Sequence, residues 1–375
     1  MSTHVSYITI DSISEGVGSS QIIPLLKRLS AQGIRINLIS FEKEKPKEGI
    51  AEDLKHSGID WTQLEFGGSR KFGGLARLWE LSHRIGPTDL IHARSDIPAV
   101  AGIISRKAPV LWDVRSLWAD QRAFIETDPI KKMIFKVARP LESIPANFSM
   151  GMSSLTQSVV SELESRHRKI PKIQIVVPTA VDLDRFVLNT EMPSSFRGLY
   201  SGTYNNYYDL KLSRRFVEAL QNLVEVDVQW ARPRESARAS LDAGESDVFI
   251  ATQNEMAEIL SQFSFGMSIC RRDAGPSLKA AMPTKIAEFL ACGRPMVVSK
   301  GIGDIDVFFA EFNVGVVIDE LNDDLDLKAR ELIALLEDPD TPRRCRALAE
   351  KYFDIDKGVE KYISAYKSIL DASKK

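Results

Sequence analysis

PTKIAEFLACGRPMVVS, residues 283–299, is the stretch from which the rest of the chain becomes readable. Pro283 suits the first turn of a helix, Gly293 suits its left-handed end, and Pro295 blocks continuation. The reading is a short helix that runs at once into a buried strand at 295–299. Ile286, Phe289 and Leu290 fall at spacings that make one apolar face. Lys285 and Glu288 are three apart and share a neighbouring face. A helix start carrying Thr284 and Lys285 offers an anion free N–H groups, the helix dipole and a point charge. A carboxylate one turn deeper accepts two hydrogen bonds from a vicinal diol. Phosphate first and ribose diol next is the order of groups in a nucleoside diphosphate sugar. On spacing alone, an ordinary surface Lys–Glu pair fits the same residues.

Working outward, the helix-then-strand unit recurs along the chain. Short apolar, β-branched runs predict strands at 5–10, 36–41, 90–92, 110–114, 148–152 and 173–177. A second set lies at 198–202, 226–231, 247–251, 265–270, 295–299 and 314–318. Amphipathic segments of helical length separate them, and such alternation implies parallel sheets, whose neighbours need long crossovers. Residues 21–31 place Ile22, Leu25, Leu26 and Leu29 on one helical face, with Gly33 as the stop. A chain of 375 residues exceeds one ordinary core. The expectation is therefore α/β: two doubly wound, Rossmann-like parallel-sheet domains, 1–180 and 181–355, facing a cleft. The boundary falls in VVPTAVDLDRF, which ends at Phe186, where a proline leaves the strand. Residues 352–370 read as a long helix with no strand after it. Ligands of open parallel sheets bind beyond the carboxyl ends of the strands, so the site is expected in the cleft.

Composition narrows the function class. Apolar residues at 44% and charged residues at 27% describe a soluble globular protein. A formal net charge of −2 gives no general drive towards nucleic acid. Cys270, Cys292 and Cys345 match neither a disulfide framework nor a zinc-site spacing, which favours a reducing compartment. No His, Cys and acidic cluster has metal-ligand spacing. Residues 1–10 lack the basic start and long apolar run of a signal peptide, and no stretch approaches the ~18–20 apolar residues of a membrane span. A cytoplasmic protein is expected. Peripheral contact with the inner face of a membrane stays open, because RKFGGLAR (70–77) and KKMIFKVAR (131–139) mix bases with apolar side chains. The second of these equally suits a helix packed on the sheet with a solvated basic face.

The 283–299 segment resembles the C-terminal nucleotide-binding motif of glycosyltransferase family 4. It is closer still to a bacterial surface-polysaccharide subgroup whose motif reads roughly P-T-K-x-x-E-Y-L-A-C-G-x-P-V. Three further stretches agree in order. VVPTAVDLDRF resembles the family linker I-P-N-G-V-D-L-x-x-F. DLIHARSDIPAVAG (89–102) resembles D-V-I-H-x-H-x-x-x-x-A, and VLWDVRSLWADQR (110–122) resembles F-D-M-R-G-x-W-x-D-E-R. The match spans most of the chain, from about residue 5 to residue 318.

This resemblance implies a GT-B fold and a retaining, metal-independent transfer of a sugar from a nucleotide-sugar donor to an acceptor hydroxyl. The acceptor would be a glycan or a lipid-linked sugar, with no cofactor beyond the donor substrate. It implies that Glu288 holds the donor ribose, that Lys285 faces the diphosphate, and that helix 356–375 returns to the first domain. Three positions depart from the pattern. Ala280 stands where the family often has a second glutamate, leaving sugar recognition to residues 271–279. Gly202-Thr203 replaces the usual Gly-Arg, so Lys211, Arg271 or Arg272 must supply that phosphate-binding charge. Arg94 replaces the second histidine of the first-domain motif.

Other residues carry two readings each. In DSISEGVGSSQ (11–21), Gly16 and Gly18 allow close backbone approach to a phosphate or sugar at the following helix start, but a plain tight turn serves as well. The longer dinucleotide fingerprint is missing there, which disfavours a nicotinamide cofactor. Asp113 and Arg115, with Arg94, form a candidate catalytic floor beside Trp112 and Trp118, or a structural ion pair. His92, Ser153 and Ser154 also sit at strand ends. A GT-B-fold sugar-nucleotide epimerase and a catalytically degenerate partner subunit are the competing functions.

Overall fold

The computed structural model describes residues 3–14, 16, 18–45, 49–66, 73–201, 207–233, 246–250 and 253–374. The chain divides into two compact units, one of residues 1–120, 133–177 and 355–375, the other of residues 121–132 and 178–354. The division at about 180 leaves out one exchange: residues 121–132 group with the second unit. Phe124 sets edge-on against Tyr207 at 6.1 Å and lies under the Arg271 guanidinium at 5.3 Å, which explains the exchange.

The first unit opens with β1 (His4–Ile8), α1 (Ile23–Ala31), β2 (Arg35–Glu42), α2 (Ile50–His56), β3 (Ile59–Glu65) and α3 (Gly73–Arg84). The run continues with β4 (Leu90–Arg94), α4 (Asp96–Ser105), β5 (Val110–Val114), α5 (Trp118–Ile125) and α6 (Pro129–Ala138), whose residues are shared between the two units, and α7 (Ser143–Phe148). β6 (Gly151–Ser154), α8 (Gln157–Arg166) and β7 (Ile173–Val176) complete the run. The sheet is parallel throughout, in the order β3-β2-β1-β4-β5-β6-β7. β3 was not foreseen, because IDWTQLE lacks the continuous apolar run of an inner strand. It is an edge strand in which only Ile59 and Leu64 are buried, and there polar side chains are tolerated. β6 starts later than the 148–152 run suggests, since Phe148 closes α7.

The second unit contains β8 (Phe196–Ser201), α9 (Leu210–Gln221), β9 (Val226–Pro233), β10 (Ser246–Ile250), α10 (Gln253–Leu260) and β11 (Phe265–Ser268). α11 (Thr284–Ala291), β12 (Met296–Ser299), α12 (Ile305–Phe312), β13 (Gly315–Ile318), α13 (Leu325–Glu337) and α14 (Thr341–Leu348) follow. Its parallel sheet runs β10-β9-β8-β11-β12-β13. The α/β class with two doubly wound parallel sheets is thus as the alternation of strands and helices requires. Each sheet reverses its winding once, between β1 and β4 in the first and between β8 and β11 in the second. Those reversals open a crevice at the carboxyl ends of the flanking strands, which is where side chains next matter.

The last helix, α15 (Ile355–Ser373), belongs to the first unit. Val359, Tyr362, Tyr366 and Ile369 join Ile22, Leu25, Leu26 and Leu29 of the α1 region in one core. Arg28 Nε bonds Asp356 at 2.8 Å and Lys361 Nζ donates to the Val176 carbonyl at 2.9 Å, fixing the register of the helix.

Candidate functional site

In the second unit the 283–299 segment folds as its residues dictate. Pro283 is the extended residue before α11, and the helix ends with Gly293 at φ +80°, a conformation that costs glycine nothing. Gly293 N donates to the Leu290 carbonyl at 3.0 Å and Arg294 N to the Phe289 carbonyl at 2.9 Å, the double closure that satisfies a helix end. The chain then turns directly into β12.

This start places Lys285 in the first turn of α11 but not in solvent. Lys285 is only 8% exposed, and its Nζ has no hydrogen-bond partner among the described residues. The ammonium lies 4.3 Å from the ring centroid of Tyr208 and 5.1 Å from that of Tyr200. Tyr200 comes from the end of β8. Tyr208 is pinned beside β11, because Asp209 N donates to the Ile269 carbonyl and Arg271 N to the Tyr207 carbonyl, each at 2.9 Å. Lys285 is therefore aimed at the reversal point of the second sheet. Burial lowers its pKa from the ordinary lysine value to about 8. The hydroxyls of Ser201 and Ser268, which follow the Tyr200 and Met267 rung of the sheet, are also buried without partners. A buried cation held by aromatic faces, with no hydrogen-bond partner among the described residues, is poised for an anion.

Glu288 lies one turn deeper and is 7% exposed. Burial pushes its carboxyl up to about 7, opposed by the charges of Arg185 and Lys285. Arg185 comes from the 176–186 linker, so that segment reaches the same helix. Thr284 is half-buried at the helix start. The structure brings Thr284, Lys285 and Glu288 together.

The other basic candidates differ. Arg271 is forked onto Asp273 at 2.6 and 3.0 Å, and Arg272 bonds Asp319 at 3.2 Å. Lys211 is exposed in the first turn of α9, the helix that follows β8. Arg271 and Arg272 thus each carry an acidic partner, whereas Lys211 lies in the first turn of α9. Ala280 is buried, so the missing carboxylate is replaced by a methyl group in the core. Gly202 and Thr203 lie outside the described residues, as do Arg70 and Lys71.

In the first unit Asp113 ends β5 and is 1% exposed. It accepts from Arg115 Nε at 2.7 Å, Ser153 Oγ at 2.7 Å and Tyr362 OH at 3.4 Å. His92 Nε2 and Arg94 Nη1 approach it at 3.4 and 3.8 Å. Arg115 also donates to Tyr362 OH at 2.9 Å, and His92 Nδ1 bonds Tyr366 OH at 2.6 Å. Burial lowers the His92 pKa, opposed by the Asp113 carboxylate beside it. Asp113, Arg115 and Arg94 do come together, and α15 caps them with two tyrosines that no local pattern announced. Arg94 reaches forward across the β1–β4 reversal, its Nε bonding Asp11 at 3.0 Å, and Asp11 is half-exposed.

The loop after β1 is shaped by a residue that sequence reading passed over. Buried Glu42 accepts from Ser12 Oγ, Ile13 N, Ser14 Oγ and Ser40 Oγ at 2.6–3.0 Å. Gly16 adopts φ +47°. Gly18 packs so tightly that a Cβ there would overlap the Ser12 carbonyl and Ile13 Cα. The tight-turn reading of Gly18 is sufficient. Arg294 was also missed: fully buried, it donates to the carbonyls of Asn189, Glu191 and Ser261 at 2.8–3.2 Å and ties the segment just after the linker to the end of α10. Its place inside ACGRP was the available signal.

No protein-family model matches the chain, and no curated protein matches it. Solved structures match over nearly its whole length. Sucrose-phosphate synthase from Thermosynechococcus elongatus superimposes with a TM-score of 0.72 at 13% identity, covering 99% of this chain and 100% of that one. A glycosyltransferase from Rickettsia africae gives 0.67 at 14% identity, covering 98% of each chain. Anabaena HepE in complex with UDP and glucose gives 0.65 at 12%, covering 98% of this chain and 99% of that one. At such identities the likeness is one of fold: the chain has the GT-B architecture of these glycosyltransferases.

Proposed function

We propose that the chain is a retaining, metal-independent glycosyltransferase of the family 4 kind, acting in bacterial polysaccharide or glycan biosynthesis. It moves a sugar from a nucleotide donor to an acceptor hydroxyl on a glycan or lipid-linked sugar. The observation that carries this reading is Lys285: a buried ammonium without a hydrogen-bond partner among the described residues, held on two tyrosine rings at a helix start. A diphosphate supplies what that group lacks. Glu288, one turn on, takes the ribose diol, and Lys211 adds a second positive charge. The reading is supported by the fold shared with HepE, which was solved with UDP-glucose.

Glu288→Gln separates this from a structural Glu288–Arg185 pair. The variant keeps one acceptor and loses the charge, so titration with UDP, GDP and ADP should show the preferred nucleotide about ten- to a hundredfold weaker. Its 2′,3′-dideoxy analogue, with no diol to lose, should bind both proteins alike. Equal weakening of the two ligands would remove Glu288 from ribose recognition.

Sugar transfer should persist in EDTA, because the helix start and basic side chains meet the diphosphate's charge. Strict dependence on added Mn²⁺ or Mg²⁺ would overturn the metal-independent reading. The buried Ala280 favours one competing reading, a subunit that binds without catalysing. Incubation with donor and acceptor mixtures sorts the cases: a glycosylated product, an epimerised nucleotide sugar, or neither.

A further inference from the structure

Helix α6, PIKKMIFKVA, is built the wrong way round for a helix of a water-soluble domain. None of its residues is buried. Ile130 is 72% exposed, Met133 61%, Ile134 58% and Val137 71%, and Leu141 in the turn that follows is 54% exposed. At roughly 100° per residue, the four helical side chains fall within about 100° of arc, one continuous apolar stripe. Only Phe135 and Ala138 are partly covered, and Phe135 holds the helix by standing edge-on to Trp118 at 5.4 Å. The helix packs through a narrow second face and turns its main apolar face to solvent. The alternative left open by the sequence, an apolar face packed on the sheet with only bases solvated, is not what this helix does.

The charges around that stripe say what covers it. Lys131 and Lys136 flank the stripe, each about 60° beyond its edge, with Lys132 between them on the far side. The helix itself carries no acidic residue. Among the described residues Lys131, Lys132 and Lys136 form no ion pair, though the Lys132 charge adds to that of Arg271 in favouring the ionised Asp273 carboxylate. Arg139, just beyond the helix, is paired with Asp120 at 3.5 Å. A second copy of the same face would bring like charges together. We propose that α6 docks the protein on an anionic lipid bilayer, its Ile130–Val137 stripe entering the headgroup boundary and Lys131 and Lys136 contacting lipid phosphates. Bases at the edges of an apolar stripe, snorkelling to the headgroups, are how a helix lies in an interface rather than crossing it. No helix of the described residues is long and apolar enough to cross a membrane. The proposal stands on α6 and is independent of the donor site.

Flotation of the full-length protein with phosphatidylcholine vesicles, with and without phosphatidylglycerol, tests it. The wild type should float with the anionic vesicles and be released as salt rises. Ile134→Glu with Val137→Glu should reduce binding at least about tenfold, since the stripe can no longer enter. Lys131→Glu with Lys136→Glu should do the same on anionic vesicles, at about fivefold or more per lysine. Leu321→Glu, at a site 70% exposed in the second unit, should bind as wild type. Should the acidic double variant fail to fold, Ile134→Ser with Val137→Ser keeps the comparison. Equal recovery with neutral and anionic vesicles, no recovery with either, or undiminished binding by the stripe variants would overturn the proposal. A lipid-free dimer that Val137→Glu dissociates would replace the bilayer with a second copy.

Discussion

Asp113→Ala is expected to destabilise the first unit by about 3–5 kcal/mol, because it strands buried cations without a counter-charge. Arg115 would lose its 2.7 Å partner, Arg94 its nearby carboxylate, and Ser153 its acceptor. The loss should travel to α15, whose Tyr362 touches both Asp113 and Arg115. Burial alone would raise the Asp113 pKa, but the Arg115 charge, the His92 contact and the Arg94 charge more than reverse this. The carboxyl is held well below the usual carboxylate range. A depressed folded-state pKa contributes stability that is fully present above the unfolded value of about 4 and is lost as pH falls below it. The variant's stability should therefore change less than the wild type's on acidification below that value. Urea unfolding across that range, with hydrogen exchange in α15, is the measurement. A loss smaller than about 1 kcal/mol would mean that the cluster is an exposed-type ion network after all.

Lys285→Ala should behave in the opposite way. Nucleoside diphosphate should bind about ten- to a hundredfold more weakly, the loss of one charge-assisted hydrogen bond to phosphate. Stability should be unchanged or higher near neutral pH, because the charged lysine is buried at a cost. The signs follow from its pKa, lowered by burial to about 8. Below that pH the folded protein carries the desolvated charge, and the penalty fades as pH rises from about 8 to the unfolded value of about 10.4. Diphosphate binding needs the ammonium, so wild-type affinity should decline as pH climbs through about 8. That limb should vanish in Lys285→Ala. Calorimetric titration over this range tests both statements, and wild-type affinity in the variant would place the donor nucleotide elsewhere.

These two residues mark how far sequence reading reached. Lys285 and Glu288 were legible because helix spacing is local: a proline, a glycine and a run of eight residues fix which groups share a face. The inner strands were legible for the same reason, as continuous apolar runs, whereas edge strand β3 hid behind Asp60, Gln63 and Glu65. Partners were not legible. The tyrosines that cap Asp113 and His92 arrive from α15, 249 and 274 positions along the chain. The rings under Lys285 come from a strand end and from the segment that precedes α9, where no periodicity speaks. The partner of Arg271, Asp273 two residues away, could not be told from its other polar neighbours by spacing. Glu42 shapes the β1 loop through serines that read only as polar filler.

The ownership of α15 has a consequence for synthesis. The first unit's core is closed by a helix encoded after all of residues 178–354. On the ribosome, that intervening stretch takes roughly 10–35 s to make at ~5–20 residues per second. Throughout that interval Leu111 and Val177, which share a core with α15, face water or whatever binds nascent chains. The later-encoded unit has all its strands before the earlier one can finish. The first half of this protein is begun first and completed last, and a trigger for chaperone capture is written into the order of its elements.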